Sequence, residues 1–156
     1  MIQNYDHLAD SPAHSVALDY IKAGIRATLP AHIVAESVEV ADGVLHVADR
    51  GFDLSDYDDV FVVGGGNAAS QVTKTLEDQL GTTLTGGTVV TDNPAETTMI
   101  KTLAGAHPLP DRSSVTSGRR ILNQVRSAES RMLILAVVTG GGQRNAGGAC
   151  RGNFSR

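Results

Sequence analysis

The stretch Val60-Phe61-Val62-Val63-Gly64-Gly65-Gly66-Asn67-Ala68-Ala69 decides the fold. Its first four residues form a continuous apolar run, which is typical of a strand covered on both faces. Three glycines follow, and apolar residues then recur every four positions, at Ala68, Val72, Leu76 and Leu80. This spacing predicts an amphipathic helix that ends at Gly81. A buried strand, a glycine turn and a helix in this order indicate an α/β fold.

The same alternation continues toward the carboxyl end of the chain. We predict a strand at 88–91, a short helix in the polar segment 92–101, and a third strand at 102–106. A helix capped by Ser113 or Ser114 follows, and an apolar strand covers 132–138. Strands that alternate with helices favour a mostly parallel sheet with helices on its faces. In the last helix we expect three residues to face inward: Val115, Leu122 and Val125.

A small amino-terminal helix and a β-hairpin are predicted upstream of this alternation. Ser11 can cap a helix and Pro12 suits its first position. Pro30 is expected to end the helix, after an apolar repeat at Leu18, Ile21, Ile25 and Leu29. Segments 36–40 and 44–48 alternate around Ala41-Asp42-Gly43, which predicts the hairpin. The aspartate-rich segment 49–59 is expected to be a loop.

The composition indicates one globular domain. The chain has 156 residues, of which 41% are hydrophobic and 19% are charged, and this is not the composition of a disordered chain. No apolar run approaches the roughly 18 residues of a membrane span, and the polar segment 1–10 is unlike a signal peptide. A single cysteine, Cys150, excludes a disulfide framework within the chain. We therefore expect a cytoplasmic protein with no membrane partner.

The charge distribution changes abruptly after residue 142. Residues 1–142 hold all 17 acidic residues and ten of the 13 basic ones, whereas 143–156 hold three arginines and no acid. The acidic body argues against a nucleic-acid partner. We predict one domain at 1–142 and a disordered tail at 143–156. Two interpretations of the tail stay open: a flexible basic end, or residues that do not belong to the reading frame of the domain.

Two glycine runs each follow a predicted buried strand, at Gly64-Gly65-Gly66 and at Gly140-Gly141-Gly142. In open α/β sheets, ligands bind outside the carboxyl ends of the strands. Glycine lets a backbone approach a ligand closely, and successive N–H groups at a helix start suit a phosphate. Either run alone is equally well explained as a tight turn between a strand and a helix. Because both runs belong to one sheet, we favour a phosphate site.

The first glycine run also fits a dinucleotide. The pattern Gly64-x-Gly66-x-x-Ala69 matches the dinucleotide fingerprint, and Asp92 ends the next strand, where an acid could hold a ribose. An NAD(P)-binding oxidoreductase domain is therefore one alternative. Against it, the fingerprint does not open the chain and the second glycine run is left unexplained. The lysine-containing P-loop pattern is absent from the sequence.

The segment His107-Pro108-Leu109-Pro110-Asp111 is a further candidate for function. Its two prolines fix φ and hold the segment extended. One interpretation is a rigid loop that presents His107 and Asp111 to a substrate. The other is a stiff bend in which Asp111 or Ser113 caps the helix that follows. The other histidines show no spacing typical of metal ligands.

Four motifs together resemble the glycerate 2-kinase family, whose carboxyl-terminal part is called the MOFRL domain. They are Val-Val-Gly-Gly-Gly-Asn-Ala-Ala at 62–69, Gly-Gly-Thr-Val-Val-Thr at 86–91, Gly-Ala-His-Pro-Leu-Pro-Asp at 105–111 and Val-Thr-Gly-Gly-Gly at 138–142. The resemblance extends from Ser11 to Gly142, and the His-Pro-x-Pro-Asp motif is its most specific part. It implies a Rossmann-like amino-terminal domain and an active site in a cleft against a second domain.

The resemblance also implies an activity and its cofactors. The family transfers phosphate from ATP, with Mg2+, to the 2-hydroxyl of D-glycerate, so a nucleotide and D-glycerate are the expected partners. The catalytic residues it implies are His107, Asp111 and Asn67. The loops it implies for phosphate or carboxylate are Gly64, Gly65 and Gly66, and Thr139, Gly140, Gly141 and Gly142. The resemblance does not divide ATP and glycerate between the two loops, and it identifies no Mg2+ ligand.

Three departures from the family bear on activity. Asn67 stands where the family usually has lysine, and Lys74 is about 10 Å further along the helix. The sequence from Gln143 onward does not match, and the second domain of the family is missing. We therefore expect a chain that is truncated or frameshifted after Gly142, inactive alone, and prone to self-association through an uncovered surface. A non-enzymatic remnant is the remaining alternative.

Overall fold

The apolar run at 60–63 lies within a central strand of a four-stranded parallel sheet. The computed structural model describes residues 2–140. The strands of this sheet are β4 (Asp59–Gly65), β5 (Gly86–Thr91), β6 (Ile100–Ala104) and β7 (Met132–Val138). Their order is β6-β5-β4-β7, and every neighbouring pair is parallel. All four carboxyl ends therefore lie along one edge, as expected for the predicted α/β fold.

A small antiparallel sheet precedes it along the chain. Its strands are β1 (Val38–Ala41), β2 (Val44–Val47) and β3 (Arg50–Asp53). Asp42 and Gly43 both have positive φ, 51° and 78°, which suits a tight hairpin turn. The hairpin is thus confirmed, but the expectation of a loop throughout 49–59 is wrong. Phe52 pairs with the fully buried Leu45 and packs against the core, so one apolar residue holds a third strand in place.

The amino-terminal helices differ from the expectation in length and in burial. The helices upstream of the parallel sheet are α1 (Tyr5–Leu8), α2 (Pro12–Ala27) and α3 (Pro30–Ser37). Ser11 caps α2 as predicted, since its hydroxyl accepts the His14 N–H at 3.2 Å. Pro30 does not end a helical region. It opens α3, because the first position of a helix needs no N–H donor.

The apolar repeat of α2 is not buried in the structure. Among the described residues, the apolar side chains of this region stay exposed over roughly half of their surface, with values of 52% at Ile21, 42% at Ile25 and 43% at Leu29. The helix packs chiefly on α1 and α3. Helical periodicity predicts an apolar stripe, but it does not say which part of the protein covers that stripe.

The predicted helix after the first glycine run is confirmed as α4 (Ala69–Leu80), and Gly81 forms its carboxyl cap. Leu76 and Leu80 are buried against the sheet. The helix also contacts α3 and β1, so it joins the two sheets. One continuous core results, and it includes Val62 and Val89 from the sheet and Leu45 from the hairpin.

The last helix, α5 (Arg112–Arg126), packs on the sheet through small residues. Its buried residues are Ser114, Ser117 and Gly118. The expected inward residues Val115 and Leu122 are only half-buried, and Val125 is exposed. Small side chains allow a helix to approach a sheet closely, so the buried face does not coincide with the most apolar one.

The polar segment 92–99 is not a helix, contrary to the expectation. Pro94 removes one backbone donor, and the Glu77 carboxylate accepts the N–H groups of Thr98, at 2.8 Å, and Met99. The following strand begins at Ile100, two residues earlier than predicted. The strand ends at Ala104. Gly105 still donates its N–H to Thr91 of β5, whereas the Ala106 N–H leaves the sheet and donates to the Ser114 hydroxyl.

Two expectations concern the outer parts of the chain. None of the described helices is long and apolar enough to cross a membrane. The predicted domain boundary at 142, the tail 143–156 and Cys150 lie outside the described residues, so they stay predictions.

Candidate functional site

The two glycine runs meet at the carboxyl edge of the sheet. Because β4 and β7 are parallel neighbours with Gly65 opposite Val138, the segments that follow them lie side by side. The Thr139 N–H donates to the Gly65 carbonyl at 3.1 Å, and the Asn67 N–H donates to the Gly140 carbonyl at 2.9 Å. The Ala68 N–H donates to the Thr139 hydroxyl at 3.2 Å. Gly141 and Gly142 lie outside the described residues.

Protein atoms fill the space beside the first glycine run. A Cβ on Gly64 would lie 1.9 Å from the Val137 carbonyl oxygen. A Cβ on Gly66 would lie 2.1 Å from the Thr139 hydroxyl oxygen, and Gly66 has φ of 132°. These glycines are therefore required by the packing of β4 and its turn against β7. Gly140 differs from them, because a Cβ there would meet nothing within 4 Å.

The backbone donors of the first turn already have acceptors in the protein. Gly66 donates to the Val90 carbonyl at 3.0 Å and Ala69 donates to the Gly66 carbonyl at 3.1 Å. Together with the bonds from Asn67 and Ala68, every N–H group from 66 to 69 is engaged. A phosphate cradle needs such groups to point at the ligand. In this arrangement the turn at 64–69 does not fit the phosphates of a nucleotide.

Thr91 connects this turn to the end of strand β6. Its hydroxyl donates to the Asn67 carbonyl at 3.4 Å, and its own carbonyl accepts the Gly105 N–H at 3.0 Å. The side chain is 1% exposed. Asn67 itself is half-buried at the start of α4. The ends of β4, β5 and β6 are thus linked by hydrogen bonds along one edge.

His107 lies on an exposed connector between β6 and α5. The connector 107–111 is exposed throughout and contains a cis peptide bond between His107 and Pro108. The preceding residue is held firmly, because the Ala106 N–H donates to the Ser114 hydroxyl at 2.9 Å. His107 is therefore exposed to solvent next to an anchored residue; that the connector presents it to a substrate stays a prediction.

Asp111 caps α5, which agrees with the other interpretation of the segment. Its carboxylate accepts the Ser114 N–H at 3.1 Å and the Ser113 hydroxyl at 2.5 Å, and Ser114 completes a capping box. These hydrogen bonds, that from the Ser113 hydroxyl first, hold the pKa of Asp111 below its ordinary value. The carboxylate is therefore ionised at neutral pH and serves first to start the helix and to end the connector.

The described residues do not by themselves form a metal site. Among residues 2–140, no group of three or more His, Cys, Asp or Glu side chains is arranged to hold a metal ion. Asp92 directly follows β5 and is exposed, which is the place that a dinucleotide fingerprint requires for its acid. Because the N–H groups of the turn are engaged, however, neither an ATP–Mg2+ group nor a dinucleotide fits this part of the chain unchanged.

An apolar cavity of about 590 Å³ runs beside β7. It lies between α3, α4, the small sheet and residues 134–139, and none of its described lining residues is charged. Strand β7 is an outer strand of the described sheet, and Val138 at its end is 79% exposed. Among residues 2–140, apolar side chains of β7 thus lie beside an open cavity, and the expectation that a missing domain would cover this surface stays a prediction. Self-association through it stays a prediction.

Sequence reasoning missed the structural roles of four hydroxyl groups at this edge, although it placed Thr139 in a ligand loop and named Ser114 as a possible helix cap. Thr91 and Thr139 each end or directly follow a strand, and Ser114 and Ser117 anchor the base of the connector. Ser117 donates to the Ala104 carbonyl at 2.7 Å. The signal in the sequence was a threonine at the carboxyl end of two predicted strands, Thr91 before Asp92 and Thr139 before the second glycine run.

The fold and this edge define an α/β domain of the Rossmann-like class in which the first glycine run contacts Thr139 and Gly140. Residues 16–146 match the family model described as a domain of unknown function, DUF4147. The chain belongs to this family.

Relatives and solved structures support the resemblance found in the sequence. The glycerate 2-kinase of Pyrococcus horikoshii is 26% identical over 129 residues, which are 81% of this chain and 28% of the relative. A crystal structure of a protein from the same organism superposes with a TM-score of 0.76 at 25% identity. The superposition covers 86% of this chain and 30% of the crystallised protein. The resemblance to the glycerate 2-kinase family is thereby confirmed.

A second solved structure supports the fold alone. The glycerate kinase of Thermotoga maritima superposes with a TM-score of 0.61 at 24% identity, over 80% of this chain and 28% of its own. The chain therefore spans less than a third of the length of each of these three proteins.

Proposed function

We propose that the chain is a glycerate-2-kinase-type domain that contributes one wall of a site for D-glycerate and a nucleotide. The observation that carries this proposal is the family match over residues 16–146, together with a relative named glycerate 2-kinase over 81% of the chain. The geometry is compatible with it, because the polar groups of the candidate site lie along the edge where open α/β sheets bind ligands. The residues concerned are Asn67, Thr139, Gly140, His107 and Asp111.

Within this proposal each of these residues has a different task. His107 offers an exposed imidazole that can exchange hydrogen bonds with a hydroxyl or carboxylate of the substrate. Asp111 holds the connector by capping α5, so it acts on His107 through the backbone. Gly140 has open space around its Cα, which allows a ligand to approach its backbone. Asn67 supplies an amide and no positive charge.

ATP and Mg2+ enter the proposal through the family. When bound, they would supply the phosphoryl group and neutralise its charge. The described residues offer neither free donors in the turn at 66–69 nor a cluster of metal ligands. We therefore propose that contacts with both groups come from residues outside 2–140, and that the chain alone does not turn over. Phosphoryl transfer needs charge stabilisation from several sides of a site that excludes water.

A coupled assay of ADP production tests the activity. It contains the purified chain, D-glycerate, ATP and Mg2+, and the expected result is a rate equal to the rate without D-glycerate. Turnover of roughly 1 to 100 per second would contradict the proposed inactivity. The same result would support the proposed substrate, because it would depend on D-glycerate.

Ligand-dependent stability separates the kinase proposal from the dinucleotide alternative. A ligand at 100 times its dissociation constant raises the free energy of unfolding by about 2.7 kcal/mol, which a thermal melt detects. If the site is of the kinase type, we expect any rise in melting temperature to come from an adenine nucleotide or D-glycerate, and NAD or NADP to leave it unchanged. If NAD stabilises the chain and Asp92→Ala abolishes that effect while Asp49→Ala, at another exposed aspartate, does not, the kinase proposal is wrong. If no ligand stabilises the chain, the non-enzymatic alternative is favoured.

A further inference from the structure

The turn between β4 and α4 receives a hydrogen-bond acceptor from a different strand. Helix α4 begins after Ala68, whose side chain cannot cap it, and no side-chain cap is present at this end. The Thr139 hydroxyl lies 3.2 Å from the Ala68 nitrogen and accepts its N–H. These two residues are 71 positions apart in the chain, and only the parallel pairing of β4 with β7 brings them together.

We propose that Thr139 is a positioning residue that holds the turn at 64–69, and that the glycines of this turn serve this contact instead of contacting a phosphate. The proposal goes beyond the proposed function, because it assigns a task to two segments before any ligand binds. It replaces the phosphate cradle that the glycine pattern alone suggested.

The close approach of the two segments supports the first part of this proposal. A Cβ added to Gly66 would lie only 2.1 Å from the Thr139 hydroxyl oxygen and 2.7 Å from the Thr139 carbonyl oxygen. A side chain at position 66 would therefore displace Thr139 from the Ala68 N–H. The placement of the Thr139 hydroxyl beside the Ala68 N–H thus requires a glycine at 66.

The distribution of backbone donors supports the second part. The N–H groups of Gly66, Asn67, Ala68 and Ala69 donate to four acceptors inside the protein. A phosphate bound by this turn would have to compete with those acceptors, and each lost bond would leave a protein oxygen without its partner.

Amide hydrogen exchange of the labelled full chain tests the hydroxyl contact directly. Thr139→Val removes the hydroxyl and nearly preserves the shape, so the Ala68 amide should exchange roughly three- to tenfold faster than in the parent, measured relative to the Val62 amide. Thr139→Ser keeps the hydroxyl and should restore the slow exchange. Thr85→Val is the matched control, because Thr85 donates its hydroxyl to Val60 at the opposite edge of the sheet. It should leave Ala68 unchanged.

The outcomes decide the proposal in either direction. If Thr139→Val exchanges at Ala68 like the parent, or if Thr139→Ser behaves like Thr139→Val, the positioning role is overturned. Should Thr139→Val fail to fold, Thr139→Ala removes the same hydroxyl with less volume and is read in the same way.

Titration with inorganic phosphate tests the second part on the unmodified chain. The expected result is that the amide resonances of 66–68 do not shift, whether phosphate binds elsewhere or not at all. Saturable shifts centred on those amides would overturn this part. The exchange experiment needs no ligand, so failure of the proposed kinase function would leave its result unaffected.

Discussion

Replacement of Gly66 by alanine should destabilise the fold strongly, because two separate costs coincide at this position. Gly66 has φ of 132°, a region that residues with a Cβ rarely adopt, and such a backbone costs about 1–3 kcal/mol. The new Cβ would also lie 2.1 Å from the Thr139 hydroxyl and 2.7 Å from its carbonyl oxygen. Overpacking of this kind costs about 1–3 kcal/mol.

The two costs together give an expected loss of about 2–6 kcal/mol in the free energy of unfolding. Small domains have about 5–15 kcal/mol in total, so the variant would keep only part of its stability. With a denaturant slope of roughly 2 kcal/mol per molar urea, the unfolding midpoint should fall by about 1–3 M. Circular dichroism in a urea titration measures this shift.

Three other glycines provide matched controls for the separate costs. Gly81 has φ of 51° with ψ of −126° and open space, so Gly81→Ala should cost about 1–3 kcal/mol of backbone strain and no overpacking. Gly87 has ordinary φ, but its Cβ would lie 2.7 Å from the Val62 carbonyl oxygen, so Gly87→Ala measures overpacking, about 1–3 kcal/mol. Gly24 lies in α2 with open space, and Gly24→Ala should stabilise by about 0.5–1 kcal/mol.

The order of the four midpoints tests the reasoning. We expect Gly24→Ala to unfold at the highest urea concentration, then Gly81→Ala and Gly87→Ala, and Gly66→Ala at the lowest. A midpoint for Gly66→Ala equal to that of Gly81→Ala would refute the close contact between the turn and Thr139, because strain alone would then explain the loss.

Three further measurements test other parts of the structure. Hydrogen bonds lower the pKa values of three aspartates, chiefly from Ser55 to Asp53, from Arg131 to Asp58 and from Ser113 to Asp111. The stability that these carboxylates give the folded chain is therefore fully present above the ordinary pKa of 3.8, and it is lost as pH falls through the lowered pKa values. Asp111→Ala should therefore lower the urea midpoint at neutral pH and lower it less in strong acid; an equal loss at both would contradict the cap. Exposed strand edges promote association, so Ala136→Lys on β7 should reduce concentration-dependent light scattering more than Ala104→Lys on β6. An equal effect of the two variants would argue against self-association through the edge of β7. Leu45→Ala should lower the free energy of unfolding by about 2–5 kcal/mol because Leu45 is fully buried. Val125→Ala should change it by less than about 0.5 kcal/mol. A large loss of stability in Val125→Ala would instead support the inward placement of Val125 that periodicity predicted.

Much of the parallel sheet could be predicted from local pattern. The continuous apolar runs at 60–63 and 132–138, the four-residue repeat of α4 and its ending at Gly81 all matched the structure, because strand and helix periodicity depend on neighbours along the chain. The errors fell where a distant contact decided the outcome. The segment 92–99 lost its predicted helix to the Glu77 carboxylate, and β3 formed because Phe52 reaches the buried Leu45.

The family could also be inferred from the sequence, because its motifs are short and keep their residue types in order. The roles of those residues could not. Asp111 could be read equally as a substrate contact or as a helix cap, and the distances to Ser113 and Ser114 favour the cap. The connector at His107 is exposed in the structure, and its rigidity, expected because proline restricts φ, stays a prediction.

The sequence by itself determined that this chain forms an α/β domain, where most of its strands and helices lie, and which glycine runs follow them. Only the tertiary structure decided what those glycines do. A glycine pattern records that a side chain is not tolerated, and it does not record whether a ligand or another strand takes the space. Here the pairing of β4 with β7 brings Thr139 into that space, and the order of strands in a sheet depends on contacts between residues far apart in the chain.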